Sequence, residues 1–427
     1  MLLVCAFVID LQLLRDDDRY RQGVLDKGAS SELIEAVLAA EASRREILTD
    51  TEQLRATANA AAKEIGRSAP EERQAKIEAA GKLKEELVAR EEALSATTEE
   101  ARALALQLPN PAHESVPVGG EENFRVETLW GEPRTDVAFD HGTLGTNLGL
   151  VDTERAVRMS GSRFAYIMGD AVRLQFALVQ WTLDKLSRHG FTPVVTPVLV
   201  REEQMEKAGF FPTDRNQVYQ LQDDDLFLVG TAEVGLAGLH REERLDADQF
   251  PLRYVGYSSC FRREAGTYGK DTSGLFRVHQ FDKVEMFIYS DPERSWEELE
   301  LLRELQEEIV SELGLPYRVI TVASGDLGAP AAKKYDLEVW LPSEQRYREI
   351  TSCSNYTDYS ARRMGTRVKR EKGTELAHTL NGTACAIGRT LLYIMENHQQ
   401  DDGSVVVPEV LRNWAGGLET ITPPPTS

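Results

Sequence analysis

A heptad pattern of small and apolar residues dominates the first quarter of the chain. Between residues 31 and 108 these positions recur with alternating spacings of four and three, which is typical of a coiled-coil seam. The first run comprises Leu33, Val37, Ala40, Arg44, Ile47, Thr51, Leu54, Ala58, Ala61 and Ile65. The second run comprises Ala80, Leu83, Leu87, Arg90, Leu94, Thr97, Ala101, Leu104 and Leu108.

A helix stop, Gly66–Pro70, separates the two runs. Ser68 is expected to cap the second helix through its hydroxyl. Pro70 suits the first turn, where the acidic Glu71 and Glu72 also lie. Each helix covers about 35 residues, hence ~50 Å at about 1.5 Å per residue. The pattern therefore predicts an antiparallel two-helix hairpin.

Basic residues occur along both predicted helices: Arg44, Arg45, Arg55, Lys63, Arg67, Arg73, Lys76, Lys82, Lys84 and Arg90. Acidic residues interleave with them. The pattern alone favours a solvated face with ordinary Glu–Lys pairs, and a nucleic-acid-binding surface is the alternative.

The rest of the chain mixes strand and helix patterns. Pro109–Glu121 is a linker by composition. Three later runs are typical of strands, namely residues 191–200, 254–261 and 278–289. Two runs are typical of helices, namely 296–313 and the helix that begins at 390–397.

Composition narrows the class of protein. The 427 residues, 41% of them hydrophobic, can fill a sizeable core, which excludes wholesale disorder. The 70 acidic residues exceed the 49 basic ones, and a formal charge of −21 argues against a protein held to nucleic acid, DNA included, by bulk charge. It does not exclude a local basic stripe. The four cysteines form no CxxC pair, so a reducing cytosol is the simplest compartment. The apolar start, Met1–Ile9, is shorter than the ~20 residues of a membrane span, and no membrane partner is expected.

Charged residues fall at strand-like positions on either side of a polar loop in residues 260–285. The pattern predicts a long antiparallel hairpin, with Arg262 and Glu264 on one strand face and Glu285 after the loop. Burying such charges is costly unless they are paired or meet a charged ligand. An internal ladder of ion pairs is the alternative.

Three further segments are candidates for chemistry. Glu349 and Ser352 are hard oxygen donors of the kind that Mg²⁺ shares with phosphate. Arg389 follows a stretch of small residues that lets a backbone come close. The triplet Thr231-Ala232-Glu233 alone favours a helix cap, Thr followed by an acid.

The order of these segments resembles the class II aminoacyl-tRNA synthetases, and specifically a seryl-tRNA synthetase of the bacterial type. Residues 190–200 resemble motif 1, with Pro197 at the motif proline. Residues 261–287 resemble motif 2, and residues 382–397 resemble motif 3. The triplet at Thr231 and the run EITSCSN from 349 look specific to the seryl family, as does the N-terminal hairpin.

This resemblance covers residues 8 to about 414. Since the family usually begins near the IDLQLLR seen from Ile9, Met1–Phe7 is extra, and we hypothesise that translation begins at Val8. The implied fold is α+β: a catalytic domain, 113–427, with an antiparallel sheet of six or seven strands flanked by helices. A tRNA-binding domain, 1–112, carries the coiled-coil arm at 31–108. A cytoplasmic homodimer built partly through motif 1 is implied.

The resemblance implies ATP as a substrate and Mg²⁺ as a cofactor. Arg262, Glu349 and Arg389 are the expected catalytic residues, and Glu349 and Ser352 the expected Mg²⁺ ligands. Phe281 is expected to stack on adenine, Glu264 to hold its amino group, and Arg389 to pack on its other face. The full set of expected ATP-binding residues is Arg262, Arg263, Glu264, Val278, Phe281, Glu349, Ile350, Thr351, Ser352 and Arg389.

The implied amino acid is L-serine. Glu233 and Thr231 are expected to hold its ammonium group, and Glu285 and Thr383 its hydroxyl. The expected serine-binding residues are Thr231, Ala232, Glu233, Arg262, Glu285, Asn381 and Thr383. The basic residues of the hairpin are expected to bind the long variable arm of tRNA-Ser, and also tRNA-Sec, by backbone and shape. With a net charge of −21, this predicts strong charge segregation between arm and body.

Two rival functions remain open. An amino-acid:carrier-protein ligase of related fold would share the catalytic segments but lack the tRNA-binding arm. A catalytically silent scaffold that dimerises through its coiled coil would have lost at least one of Arg262, Glu285 or Arg389, and all three are present.

Overall fold

The computed structural model describes residues 9–265 and 275–423. These residues form two compact units, of which the first ends at Pro111 and the second begins at Ala112. The proposed N-terminal extension, residues 266–274 of the predicted polar loop and the last four residues of the sequence lie outside the described residues.

The helices of the described residues are α1 Leu11–Asp16, α2 Asp18–Asp26, α3 Ser31–Ile65, α4 Pro70–Ala105, α5 His141–Asn147, α6 Thr153–Ser160, α7 Asp170–Arg188, α8 Glu202–Lys207, α9 Glu233–Ala237, α10 Ser295–Glu312, α11 Tyr359–Met364, α12 Ile387–His398 and α13 Glu409–Arg412. The strands are β1 Arg125–Trp130, β2 Val151–Asp152, β3 Tyr166–Ile167, β4 Thr192–Val195, β5 Leu199–Arg201, β6 Gln220–Leu221, β7 Leu226–Leu228, β8 Arg244–Leu245, β9 Leu252–Phe261, β10 Gln280–Ser290, β11 Tyr317–Thr321, β12 Lys333–Leu341, β13 Arg346–Asn355, β14 Arg367–Lys369, β15 Thr374–Leu376, β16 His378–Ala386, β17 Val405–Val406 and β18 Thr420–Ile421.

The predicted two-helix arm is confirmed, since α3 has 35 residues, α4 has 36, and the two helices pack along each other. The predicted seam positions are buried or half-buried with one exception. Arg90 stays exposed and reaches Asp50 across the hairpin at 3.3 Å. Fully buried residues of α3 and α4 occur up to Thr51 and again from Ala101, so the distal half of the arm has none.

The expected cap of the second arm helix is wrong. Ala69, not Ser68, is the N-cap residue of α4, and it has no side-chain oxygen to accept an N–H. The Ser68 hydroxyl instead donates to the carbonyl of Glu64 at 2.7 Å, at the end of α3. Pro70 does begin the helix, where its missing N–H leaves no bond unmade.

The C-terminal unit is built on an eight-stranded sheet in the order β1-β11-β12-β13-β16-β10-β9-β4. It therefore has more strands than the six or seven expected. All neighbours pair antiparallel except β4, which runs parallel to β9 at one edge. The centre of the sheet is apolar and buried, and every residue of β10 from Val284 to Ser290 is buried. Helices α7, α10 and α12 pack on this sheet and supply much of the core.

The run of residues 191–200, predicted as one strand, is divided in two. Its first part is β4 in the large sheet, and after an interruption at Thr196–Val198 the chain enters β5 in a small sheet with β6 and β7. Two prolines, Pro193 and Pro197, explain why the run is not one central strand, because proline cannot donate to the ladder.

Two β-bulges shape the centre of the large sheet. In β13 the register shifts so that Thr351 faces Leu337 and Glu349 faces Glu338, which leaves Ile350 as the extra residue. In β16 a similar shift leaves Ala384 extra. A bulge changes which side of a strand its neighbours face.

Among the described residues, no helix combines the length and apolar character that crossing a membrane requires.

Candidate active site

A cavity of about 700 Å³ opens over the middle strands of the large sheet. This volume is typical of a small-molecule site. Most of the residues predicted from the sequence line it: Thr231, Glu233, Arg262, Glu264, Val278, Phe281, Glu285, Glu349, Ile350, Ser352, Asn381, Thr383 and Arg389. Segments separated by more than 150 residues in the sequence thus meet in one cavity.

Three of the predicted residues do not line the cavity. Arg263 is exposed, and its N–H donates to the carbonyl of Gln217 at 2.8 Å. Ala232 is buried between the two lining residues of its triplet. Thr351 is buried too, and its hydroxyl has no hydrogen-bond partner among the described residues.

A network of buried polar groups forms one part of the cavity. The Asn381 amide Nδ2 donates to Glu233 Oε2 at 2.8 Å and lies 3.3 Å from Glu285 Oε1. The Thr383 hydroxyl donates to Glu285 Oε2 at 3.2 Å, and the Lys283 ammonium also pairs with Glu285. Asn381 Oδ1 is buried with no partner among the described residues, so it can accept a hydrogen bond from a ligand.

The charges of this network are unbalanced, with two carboxylates against one ammonium group. Burial, and next the charge of Glu285, raise the pKa of Glu233 to about 7, although Lys283 opposes the shift. A cationic ligand would restore the balance. The Thr231 hydroxyl accepts the N–H of Glu233 at 3.2 Å beside the cavity. The predicted threonine cap is nevertheless wrong, because the N-cap residue of α9 is Ala232, which makes no side-chain capping bond.

Arg262 lies at the junction between this network and the rest of the cavity. Its Nε donates to the carbonyl of Gly230 at 3.2 Å, and its guanidinium lies 5.2 Å from the centre of the Phe281 ring. The expectation that Arg262 and Glu264 share one face of a strand is wrong, because β9 ends at Phe261 and both residues lie beyond it. Glu264 has a positive φ of 50°, and this turn is what lets it line the same cavity and pair with Arg277.

Arg389 stands at the start of α12 and faces β13. Its Nη1 donates to the carbonyl of Glu349 at 3.1 Å and lies 3.6 Å from the carboxylate of the same residue. Its guanidinium is 4.9 Å from the centre of the Phe276 ring. Burial raises the pKa of Glu349, but Arg389, Lys334 and Arg262 together outweigh it and hold that pKa below its ordinary value. Glu349 is therefore an ionised carboxylate at neutral pH.

The bulge at Ile350 explains how Glu349 and Ser352 both line the cavity. Residues three apart in a regular strand face opposite sides, and the extra residue removes that conflict. The described residues hold no cluster of three or more acidic, His or Cys side chains that could bind a metal by themselves. One carboxylate and one hydroxyl do suit Mg²⁺ when phosphate and water complete its shell.

The sequence reasoning missed several lining residues. Lys283 is buried and precedes Glu285 by two positions, so strand alternation could have found it. Phe276 lies in a bend and Gln217 ends a three-residue 3-10 helix, and neither is long enough for a period to mark the residue. Lys334 comes from β12, and only the strand order shows that this strand lies beside β13.

The predicted RNA-binding residues lie in the other unit and differ in their partners. Arg44 is mostly buried and donates to Glu41 at 2.6 Å and 2.9 Å. Arg45, Arg55, Lys76 and Arg90 also pair with acidic residues. Within the described part of the chain, no ion pair is found for Lys63, Arg67, Arg73, Lys82 or Lys84.

Comparison with known proteins agrees with this geometry. Residues 217–398 match the family "tRNA synthetase class II core domain (G, H, P, S and T)", and residues 8–112 match "Seryl-tRNA synthetase N-terminal domain". The chain is 46% identical over 422 residues to Serine--tRNA ligase 1 of Streptomyces avermitilis, covering 97% of this chain and 99% of the relative. It is 46% identical over 412 residues to the serine–tRNA ligase of Mycobacterium marinum, covering 96% and 98%.

Solved structures give the same result. The seryl-tRNA synthetase from Pyrococcus horikoshii complexed with ATP superposes with a TM-score of 0.89 at 37% identity, covering 97% of this chain and 100% of that one. The cytoplasmic serine–tRNA ligase from Naegleria fowleri in complex with AMP gives a TM-score of 0.86 at 32% identity, covering 97% and 98%. The expected α+β fold is confirmed, and the chain belongs to the seryl-tRNA synthetase family of class II aminoacyl-tRNA synthetases.

Proposed function

We propose that the protein is a serine–tRNA ligase. It activates L-serine with ATP to give seryl-adenylate and pyrophosphate, and then transfers serine to the 3′ end of tRNA-Ser. One observation supports this proposal most directly. A single cavity contains both the network of buried carboxylate, amide and hydroxyl groups and a set of arginines. The first suits an ammonium group and a hydroxyl, and the second suits carboxylate and phosphate.

The acidic network is assigned to the amino acid. Glu233 binds the serine ammonium group, and Thr231 lies beside it in the cavity wall. Glu285 and Thr383 bind the side-chain hydroxyl of serine. The 3.2 Å hydrogen bond between them holds a carboxylate and a hydroxyl side by side, where both can pair with a substrate hydroxyl. Asn381 Oδ1, which lacks a partner among the described residues, offers a further acceptor to the substrate.

The arginines are assigned to the reacting anions. A serine carboxylate oxygen attacks the α-phosphorus of ATP, the new P–O bond forms, and the bond to pyrophosphate breaks. Arg262 contacts both the carboxylate and the α-phosphate and so lowers the repulsion between two anions. Arg389 contacts the base and the γ-phosphate. Glu349 and Ser352 would hold Mg²⁺, which supplies charge neutralisation on the phosphates when it is bound.

Selectivity follows from the buried polar groups. Alanine would leave Glu285 and Thr383 without the hydroxyl for which they are arranged, and a site of this kind can reject such an analogue by about 10⁴-fold. Threonine has the hydroxyl and must be refused by lack of room for its methyl group.

The N-terminal arm is assigned to the tRNA. The expected charge segregation is wrong in its simple form, because residues 31–108 contain 11 basic and 16 acidic residues. Only the distal part, residues 63–84, has an excess of basic residues, six against four. Lys63, Arg67, Arg73, Lys82 and Lys84, which form no ion pair among the described residues, all lie there, so we propose that this part of the arm contacts the RNA backbone. The same contacts would serve tRNA-Sec.

A second copy of the chain is the proposed partner of the sheet edge. β4 ends the sheet, and Val195 on it is 81% exposed. Phe176 on α7 is also exposed. An open edge with exposed apolar side chains is typical of a surface that a partner covers. The buried free thiols of Cys260, Cys353 and Cys385 agree with a reducing compartment, so we place the protein in the cytoplasm.

Amino-acid-dependent ATP–pyrophosphate exchange, measured with each of the twenty amino acids, tests the proposal. Serine alone should support strong exchange, and the chain should then charge tRNA-Ser. Exchange without charging would favour the carrier-protein ligase, and no exchange would favour the silent scaffold. Deletion of residues 31–108 should leave exchange intact and abolish charging. Retained charging by that deletion would contradict the role of the arm.

A further inference from the structure

A buried glutamine connects the two sides of the cavity from below the sheet. Gln306 lies on α10 and is 1% exposed. Its Nε2 donates to the carbonyl of Ser352 at 2.8 Å and to the carbonyl of Thr383 at 2.8 Å. Both hydrogens of the amide are therefore used, each on a different strand.

These two bonds lie where two strands separate. β13 and β16 pair from Asn355 to Cys353, and the last pair is Cys353 with Gly382. The next residues along the strands, Ser352 and Thr383, are not paired with each other, and a bulge follows on each strand. The Gln306 amide therefore replaces the next pair of backbone hydrogen bonds between the strands. We call this place, where β13 and β16 separate beside the cavity, the fork.

The residues around the fork are closely packed. A Cβ on Gly382 would lie 2.9 Å from the Cβ of Cys353 and 3.4 Å from the amide nitrogen of Gln306. Contacts below 3.0 Å require something to move, and here the neighbours are buried. Gly382 and Gln306 thus fit together, since the small residue leaves space for the amide to reach both carbonyls.

We propose that Gln306 is a positioning residue which sets the separation between the Ser352 wall and the Thr383 wall of the cavity. This inference rests on the proposed function, in which Ser352 serves the metal–phosphate side and Thr383 serves the serine hydroxyl. A single side chain then controls both sides at once. Glutamate can offer at most one hydrogen, methionine offers none, and asparagine is shorter by one methylene. Among side chains that carry no charge, only glutamine therefore has both the reach and the two donors.

Gln306→Met tests the proposal, because it keeps the length and volume of the side chain and removes both donors. We expect the KM for serine and the KM for Mg-ATP each to rise by about tenfold, as loss of a hydrogen bond to each wall implies. We expect kcat to fall by less than about threefold, and threonine-dependent exchange to rise relative to serine-dependent exchange, because the walls loosen.

Gln399→Met is the matched control. Gln399 is equally buried, its Nε2 donates to the carbonyls of Phe139 at 2.8 Å and Glu396 at 3.2 Å, and it does not line the cavity. Gln399 Oε1 also accepts the N–H groups of Ala138 and Phe139, so Gln399→Met should lower the melting temperature at least as much as Gln306→Met. It should keep both KM values within about twofold of the wild type.

A Gln306→Met variant that melts at a lower temperature but keeps both KM values would overturn the positioning role. If that variant does not fold, Gln306→Leu, which also lacks both donors, replaces it, with the same expected rise and the same refuting result. A wild-type chain that shows no serine-dependent exchange contradicts the proposed function itself, whereas normal exchange kinetics in the variant contradict only the role of Gln306.

Discussion

The affinity for serine should depend on pH through Glu233. This carboxyl is buried beside Glu285, and the pKa of Glu233 is raised to about 7. In the proposed mechanism it must be ionised to hold the serine ammonium group. Protonation of Glu233 therefore competes with serine binding, and the perturbation needed is only a change of buffer.

The size of the effect follows from the titration curve. As the pH falls from about two units above neutrality to about two units below it, an acid of pKa about 7 changes from almost fully ionised to almost fully protonated. Between about pH 8 and about pH 6 the apparent KM for serine should rise about tenfold, because the ionised fraction falls by that factor. The KM for ATP should change much less, since Glu233 is assigned to the amino acid and not to the nucleotide.

Serine-dependent ATP–pyrophosphate exchange at a series of pH values measures this directly. Glu233→Gln is the control, because it keeps the shape and cannot titrate. Its KM for serine should be high at every pH and should not vary. A flat KM in the wild type, or the same pH dependence in Glu233→Gln, would refute the reasoning.

Three further changes have definite expected results. Arg262→Ala should reduce exchange by about 10³-fold or more, because it removes the cation shared by the carboxylate and the α-phosphate; exchange within tenfold of the wild type would contradict that role. Ala69→Ser should stabilise the arm by about 1 kcal/mol in denaturant unfolding, since it supplies the missing N-cap oxygen, whereas Ser68→Ala should change stability little. The double change Lys82→Glu and Lys84→Glu should lower kcat/KM for tRNA-Ser without affecting exchange, and charging kinetics with an unchanged salt dependence would count against the assigned surface.

Periodic signals in the sequence predicted the fold well. The heptad seam gave both arm helices, and strand and helix runs located β9, β10, α10 and α12 to within a few residues. They failed where the chain leaves its period. The run with Pro193 and Pro197 was taken as one strand, and the second arm helix begins one residue later than a serine cap would place it.

The candidate site was predictable only in part. Family resemblance named Arg262, Glu349 and Arg389, but alternation alone would have put Glu349 and Ser352 on opposite sides of a strand. The bulge that brings them together depends on pairing with β12, which no local pattern reveals. Gln306 was missed for the same reason, because its partners are 46 and 77 residues away in the chain.

The arm described above becomes less firmly packed toward its tip, since neither helix buries a residue fully between Thr51 and Ala101. Local unfolding costs least where few apolar contacts must be broken, so backbone amides in this stretch should exchange with solvent fastest. An arm that is rigid where its helices are well packed and flexible at its tip can adjust to RNAs of slightly different curvature. Bound tRNA should then slow amide exchange most at the end that is loosest without it.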